Sequence, residues 1–268
     1  GDGERLALAA LASARPGGFL ASGNLVDHMR GAPDAEAQLL ATLELGTAGG
    51  QPDAPAVFGA QLLTLRHNQG RNAEQIDAMR ANVEAQPHIA AWRAVLARMY
   101  SETDQVAAAR DQVDILRVSG FDHPLNWTWP THVVCLSEVV CDLHDASAAT
   151  VLYERMHPVA EQAYVVVMML VCGGSYALFC GMLAACLGRW DDAERHFTDA
   201  LAMNERLGAR PYVVRTRRAW ATMLLDRGAP GDAARARELI AAGLAEAEAL
   251  GMARETVRFQ RLLARMPA

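Results

Sequence analysis

Residues 175–208 read SYALFCGMLAACLGRWDDAERHFTDALAMNERLG, and this stretch decides the fold. Gly188 ends a first apolar helix, and Trp190-Asp191-Asp192 opens a second. Two carboxylates there complement the positive end of a helix dipole. On the second helix Ala193, Phe197 and Ala200 recur at three- and four-residue spacing, which places them on one face. Gly181 lies in the first helix where a partner would approach, so the two axes can cross closely while Phe197 fills the gap between neighbouring pairs.

Outward from this pair, the same alternation of helix and breaker covers nearly the whole chain. Helices are predicted over 3–14, 34–46, 54–69, 73–85, 88–101, 104–118, 130–143, 146–157, 175–188, 191–207, 211–227, 232–249 and 252–265. Breakers such as Gly70, Pro87, Gly120, Pro158, Gly208, Gly228 and Gly251 separate them. The fold class expected is all-α, a degenerate array of helical hairpins forming a right-handed solenoid superhelix. One repeat domain spans 1–268, with irregular N-terminal helices over 1–33, helical pairs over 34–250, and an amphipathic basic helix at 252–266 that suits a terminal cap with a polar outer face. Periodicity leaves 164–171, with its β-branched run, unassigned.

Composition narrows the function. The 268 residues carry a net charge of −6, which argues against general nucleic-acid binding. Every basic residue apart from histidine is Arg, so lysine chemistry is excluded: no Schiff base and no Walker A lysine. The five cysteines (Cys135, Cys141, Cys172, Cys180, Cys186) sit in apolar runs without a CxxC, which points to a reducing, cytoplasmic setting. The uncharged stretch 163–188 (AYVVVMMLVCGGSYALFCGMLAACLG) is long enough for a membrane span. Gly173-Gly174-Ser175 divides it and its second half runs into a polar repeat helix, so it reads as a buried central segment and no membrane contact is expected.

The small-residue and aromatic spacing of 175–208 is the tetratricopeptide pattern. The longer run from Cys186 to Met252, CLGRWDDAERHFTDALAMNERLGARPYVVRTRRAWATMLLDRGAPGDAARARELIAAGLAEAEALGM, resembles the C-terminal helical region of large bacterial signalling proteins. These carry a nucleotidyl cyclase or regulatory ATPase domain at the front, and LuxR-type regulators share the design. The resemblance extends over roughly 35–251, including VFGAQLLTLRHNQGRNAEQ and AWRAVLARMYSETDQVAAAR. It implies a sensing or protein-binding module with no catalytic residues. No Walker A motif, cyclase domain or helix-turn-helix accompanies it, so the chain reads either as the tail of a longer protein or as a free-standing relative.

Candidate ligand contacts are Arg66, Trp92, Trp127, Trp129, His132, Tyr176 and Arg215. Indole faces, an imidazole and a phenol can line an apolar pocket, and guanidinium groups on the first helix of each pair can grip a carboxylate or phosphate. His132, Cys135, Cys141 and His144 have ligand-like spacing, but one straight helix cannot bring all four around a tetrahedral metal. Neither a metal nor a cofactor is therefore expected. Partners expected are a peptide, a protein domain or a small effector on the concave face, with a homodimer as a further possibility. The competing reading is a free-standing enzyme of cyclase or isomerase type that uses the same concavity as a shaped pocket.

Overall fold

The computed structural model describes residues 35–166 and 171–266. The expected helix at 3–14 and Cys172's side chain fall outside the description. The described residues are all-α but for one β-hairpin. Twelve helices follow in order: α1 (Ala35–Ala48), α2 (Ala54–Gln69), α3 (Ile76–Ala85), α4 (Ala90–Glu102), α5 (Val106–Arg117), α6 (Trp129–Asp142), α7 (Ala146–Met156), α8 (Tyr176–Cys186), α9 (Trp190–Arg206), α10 (Arg210–Arg227), α11 (Asp232–Ala249) and α12 (Ala253–Arg265). No helix among them is long and apolar enough to cross a membrane.

Helix starts follow local chemistry. Proline occupies the first turn of α2, α6 and α10, where its missing N–H costs nothing. Asp145 caps α7 by accepting from the Ala148 amide, and Ser175 caps α8 by accepting from the Ala177 amide.

Consecutive helices pair as α4–α5, α6–α7, α8–α9 and α10–α11. The first members also touch one another in a row: α4 packs on α6, α6 on α8, α8 on α10 and α10 on α12. The row turns back on itself, because α12 also contacts α2. The apolar core lies between this inner row and the outer helices, with Phe179, Leu183, Phe197, Leu152, Met156, Leu136 and Met223 fully buried. Gly181 does what its position implies: a Cβ there would lie 2.7 Å from the Phe197 ring. Gly243 of α11 lies as close to Phe259 of α12.

The segment left open by periodicity is the hairpin. Strand β1 (Ala163–Val166) pairs antiparallel with β2 (Val171–Ser175). Its glycines make room for rings. A Cβ on Gly173 would sit 1.9 Å from Tyr164, and Gly174, at φ +75°, lies against Tyr212 and Asn204. The Asn204 side-chain oxygen accepts from the Ser175 amide at 2.9 Å, tying the hairpin to α9. The hairpin thereby sets Tyr164 against α8 and α10, on the inner row.

Candidate functional site

Beside their apolar contacts, the inner-row helices are joined by buried charge. On α4, Glu102 is 4% exposed and gathers three partners from two other helices and a turn. His67 of α2 lies 3.1 Å from its Oε2, the Asn72 amide donates to the same oxygen, and Arg254 of α12 pairs with Oε1. Burial alone pushes the Glu102 carboxyl up, but His67, then Arg254 and Arg98, outweigh it and hold it well below the usual carboxylate range. Burial lowers His67 to about 4, with Arg215 and Arg98 adding to it against Glu102. His67 is therefore neutral at pH 7 and donates from Nδ1 to Glu102, which leaves the arginines as the permanent counter-charges.

The network continues inward. Arg98 of α4 pairs with Glu138 of α6 at 3.4 Å, and Arg215 of α10 donates to the Asn68 side-chain oxygen of α2 at 2.8 Å. Arg218 of α10 pairs with Glu255 of α12 at 2.6 Å. Burial raises the Glu255 carboxyl, yet Arg218 and Arg258 outweigh it and bring it down to about 2.

Beside these pairs a cavity of about 550 Å³ opens. It is formed by the C-terminal ends of α2 (Gln69, Gly70), α4 (Ser101, Glu102) and α6 (Asp142, Leu143), facing Arg218 of α10 and one side of α12. Arg254, Arg258 and Arg261 project into it from α12 at i, i+4 and i+7. Val106, Leu143 and Val257 give it an apolar wall. The volume falls in the range of small-molecule sites.

The seven sequence-predicted residues lie elsewhere, and the structure distributes them over three places. Trp129 packs on Tyr176 at 5.8 Å between ring centres, Tyr176 on Tyr164 at 5.1 Å, and Tyr164 donates to the Tyr212 hydroxyl at 3.3 Å. Arg215 lies over the Tyr212 ring at 5.1 Å. Trp129, Tyr176 and Arg215 thus belong to one buried stack along the inner row. Burial pushes the Tyr176 phenol above its ordinary range.

Trp92 meets Trp127 edge-on at 6.2 Å, with Trp127 still 49% exposed. Nearby on α6, His132 stacks on His123 at 4.5 Å. His132 is fully buried, and burial with the neighbouring His123 lowers it to about 4 against the backbone groups of Phe121 and Ala90. Arg66 stands apart. It reaches Glu36 of α1 at 3.4 Å and Glu74 at 3.6 Å, away from the row interior.

Among the described residues no cluster of three His, Cys, Asp or Glu side chains is arranged to hold a metal. Cys135 is buried in the α6 core, and burial raises its thiol to about 11. Cys141 instead hydrogen-bonds Cys186 of α8.

Sequence reasoning passed over Glu102, Arg254, Arg258 and Arg261. On the last helix, read as a cap with a polar outer face, Arg254, Arg258 and Arg261 line the cavity. The signal was present in the i, i+4, i+7 arginines, but only the contact of α12 with α2, α4 and α6 gives that stripe a partner surface.

Comparison with family models, with curated proteins and with solved structures returns no match.

Proposed function

We propose that this chain is a tetratricopeptide-like helical-repeat binding module, a right-handed solenoid whose inner side holds a small effector or partner segment. Its role is sensing or regulation within a bacterial signalling protein of the kind its sequence resembles, in a reducing cytoplasm. Helical pairs, small residues at close crossings, and four free cysteines among the described residues support that reading.

The observation that carries it is the cavity. Its walls come from α2, α4, α6, α10 and α12, helices far apart in sequence. A ligand there contacts both ends of the described fold at once. It therefore stabilises the closed arrangement by mass action and reports its presence through the whole array.

The test is a thermal-shift screen of the purified chain against fractionated metabolite extracts and a peptide library, followed by native mass spectrometry of each hit. At least one component is expected to raise the melting temperature and remain bound in the gas phase. Hydrogen-exchange protection should then concentrate at the ends of α2, α4 and α6 and along α12. A chain that no fraction or peptide stabilises, or one protected only at remote surfaces, would count against a binding role for this cavity.

A further inference from the structure

The cavity's chemistry narrows what it takes. Its hydrogen-bonding capacity is unequal. The acceptors are largely engaged: Glu102 by His67, Asn72 and Arg254, and Asp142 by the Ser101 hydroxyl at 2.9 Å and, loosely, by Arg258. Asp104 stands at the rim, exposed to water. In the last turns of α4 and α6 the carbonyls of Met99, Tyr100, Val139 and Val140 are taken by the amides of Thr103, Gln105, Leu143 and Asp145.

The donors are not engaged to the same degree. Arg218 uses its Nε on Glu255, leaving both terminal nitrogens without a hydrogen-bond acceptor among the described residues. Arg258 makes only long contacts, 3.4 Å to Asp142 and 3.6 Å to Glu255. Arg261, exposed to water at the rim, has no carboxylate partner among the described residues. A guanidinium carries five N–H donors in a fork that matches an oxyanion. Three such forks, all with spare donors, face one space.

Their placement on α12 sharpens the point. Three like charges at i, i+4 and i+7 repel one another. Arg254 also sits in the first turn, at the positive end of the helix dipole, where a cation is disfavoured. The Met252 side chain offers no cap to the amides of that turn. The negative ends of α2, α4 and α6 and the Glu102 charge account for Arg254. They do not account for the unused nitrogens of the largely buried Arg218 and Arg258. Beside these donors, Val106 and Val257 are half exposed and Leu143 lines the wall, an apolar surface that a bare ion would leave uncovered.

We infer that the cavity binds a small organic oxyanion, with a phosphate or carboxylate head between Arg218, Arg258 and Arg261 and an apolar body against Val106, Leu143 and Val257. The inference rests on the binding-module reading and names its ligand class.

The test is isothermal titration calorimetry of the full chain at low ionic strength. The probes are phenyl phosphate, benzoate and inorganic phosphate, so that two heads are compared on one ring and against a bare ion. At least one ring-bearing probe is expected to bind more tightly than inorganic phosphate, and the better head tells phosphate from carboxylate. R261Q and R258Q should each lower that affinity by roughly tenfold to a hundredfold, the range for losing a charged hydrogen bond. R265Q, which breaks a pair with Asp226 away from the cavity, should leave it unchanged.

Because Arg261 holds no structural partner, R261Q keeps the test clear of any folding defect in R258Q. Absence of binding by all three probes at millimolar concentration would overturn the inference. So would affinity that survives R258Q/R261Q, or bare phosphate binding as tightly as both ring compounds. If the probes fail while the extract screen finds a neutral or cationic ligand, the oxyanion assignment falls and the binding module stands. If the screen fails as well, both fall.

Discussion

Replacing Glu102 by Gln removes one negative charge from a point where three helices and a turn meet. Arg254 is left with its side chain only 17% exposed and no carboxylate of its own, while His67 and Asn72 can still donate to the amide oxygen. Breaking one side of a buried ion pair costs about 3–5 kcal/mol, and the retained acceptor places E102Q near the lower bound, at about 3 kcal/mol. For a chain of this size that corresponds to a melting temperature lower by roughly 6–12 °C. Urea unfolding at pH 7, followed by circular dichroism, measures the loss. The decisive comparison is the double-mutant cycle with Arg254→Met. Once the cation is gone, the Glu102 charge has less to neutralise, so the double variant should be more stable than the two single losses predict, by about 2 kcal/mol. Amide exchange should quicken in α2 and α12 before it does in α8 and α9. An E102Q variant within about 1 kcal/mol of the parent would refute the placement of Glu102 as the counter-charge of this junction. Strict additivity in the cycle would refute it equally.

Acid should loosen the fold in two stages. His67 and His132 are each held at about 4 against an ordinary 6.5, so the unfolded chain binds more protons between those values. The stability tied to their neutral forms is complete above about pH 6.5 and is lost as pH falls toward 4, by up to about 3 kcal/mol for each. Glu255, brought down to about 2 from 4.5, adds a second loss between those pH values. Urea midpoints that stay level from pH 7 to pH 5 would contradict the first stage. Gly243→Ala should destabilise by about 1–3 kcal/mol from overpacking, even after the gain of about 1 kcal/mol in helix propensity is set against it. The reason is that the new Cβ would lie 2.2 Å from the fully buried Phe259 ring, and a thermal melt reading no loss would show that α11 and α12 are not so closely packed.

The helices were legible because their signals are local. Pro at the start of α2, α6 and α10, Asp145 and Ser175 as caps, and the Ala193–Phe197–Ala200 face all act within a few residues. The hairpin was not legible, since a β-branched run followed by two glycines fits a breaker as well as a strand. Its reason lies in the rings of Tyr164 and Tyr212, which Gly173 and Gly174 accommodate across the fold. The candidate residues show the same divide. Aromatics near Pro130 and arginines on first helices were visible, and Trp129, Tyr176 and Arg215 do come together on the inner row. The cavity itself escaped notice because its arginines gain a partner surface only from helices much earlier in the chain. No local period encodes the meeting of Arg254 with Glu102.

That meeting also fixes an order of events during synthesis. Arg254 follows Glu102 by about 150 residues. At about 5–20 residues per second, the ribosome delivers it roughly 8–30 s later. Throughout that interval the nascent chain carries an acidic group whose final cation does not yet exist. Until α12 emerges, Glu102 lacks the cation contributed by Arg254. Closure of the described fold is thus coupled to the emergence of α12, and a product truncated before α12 would be marked by an unneutralised, accessible Glu102.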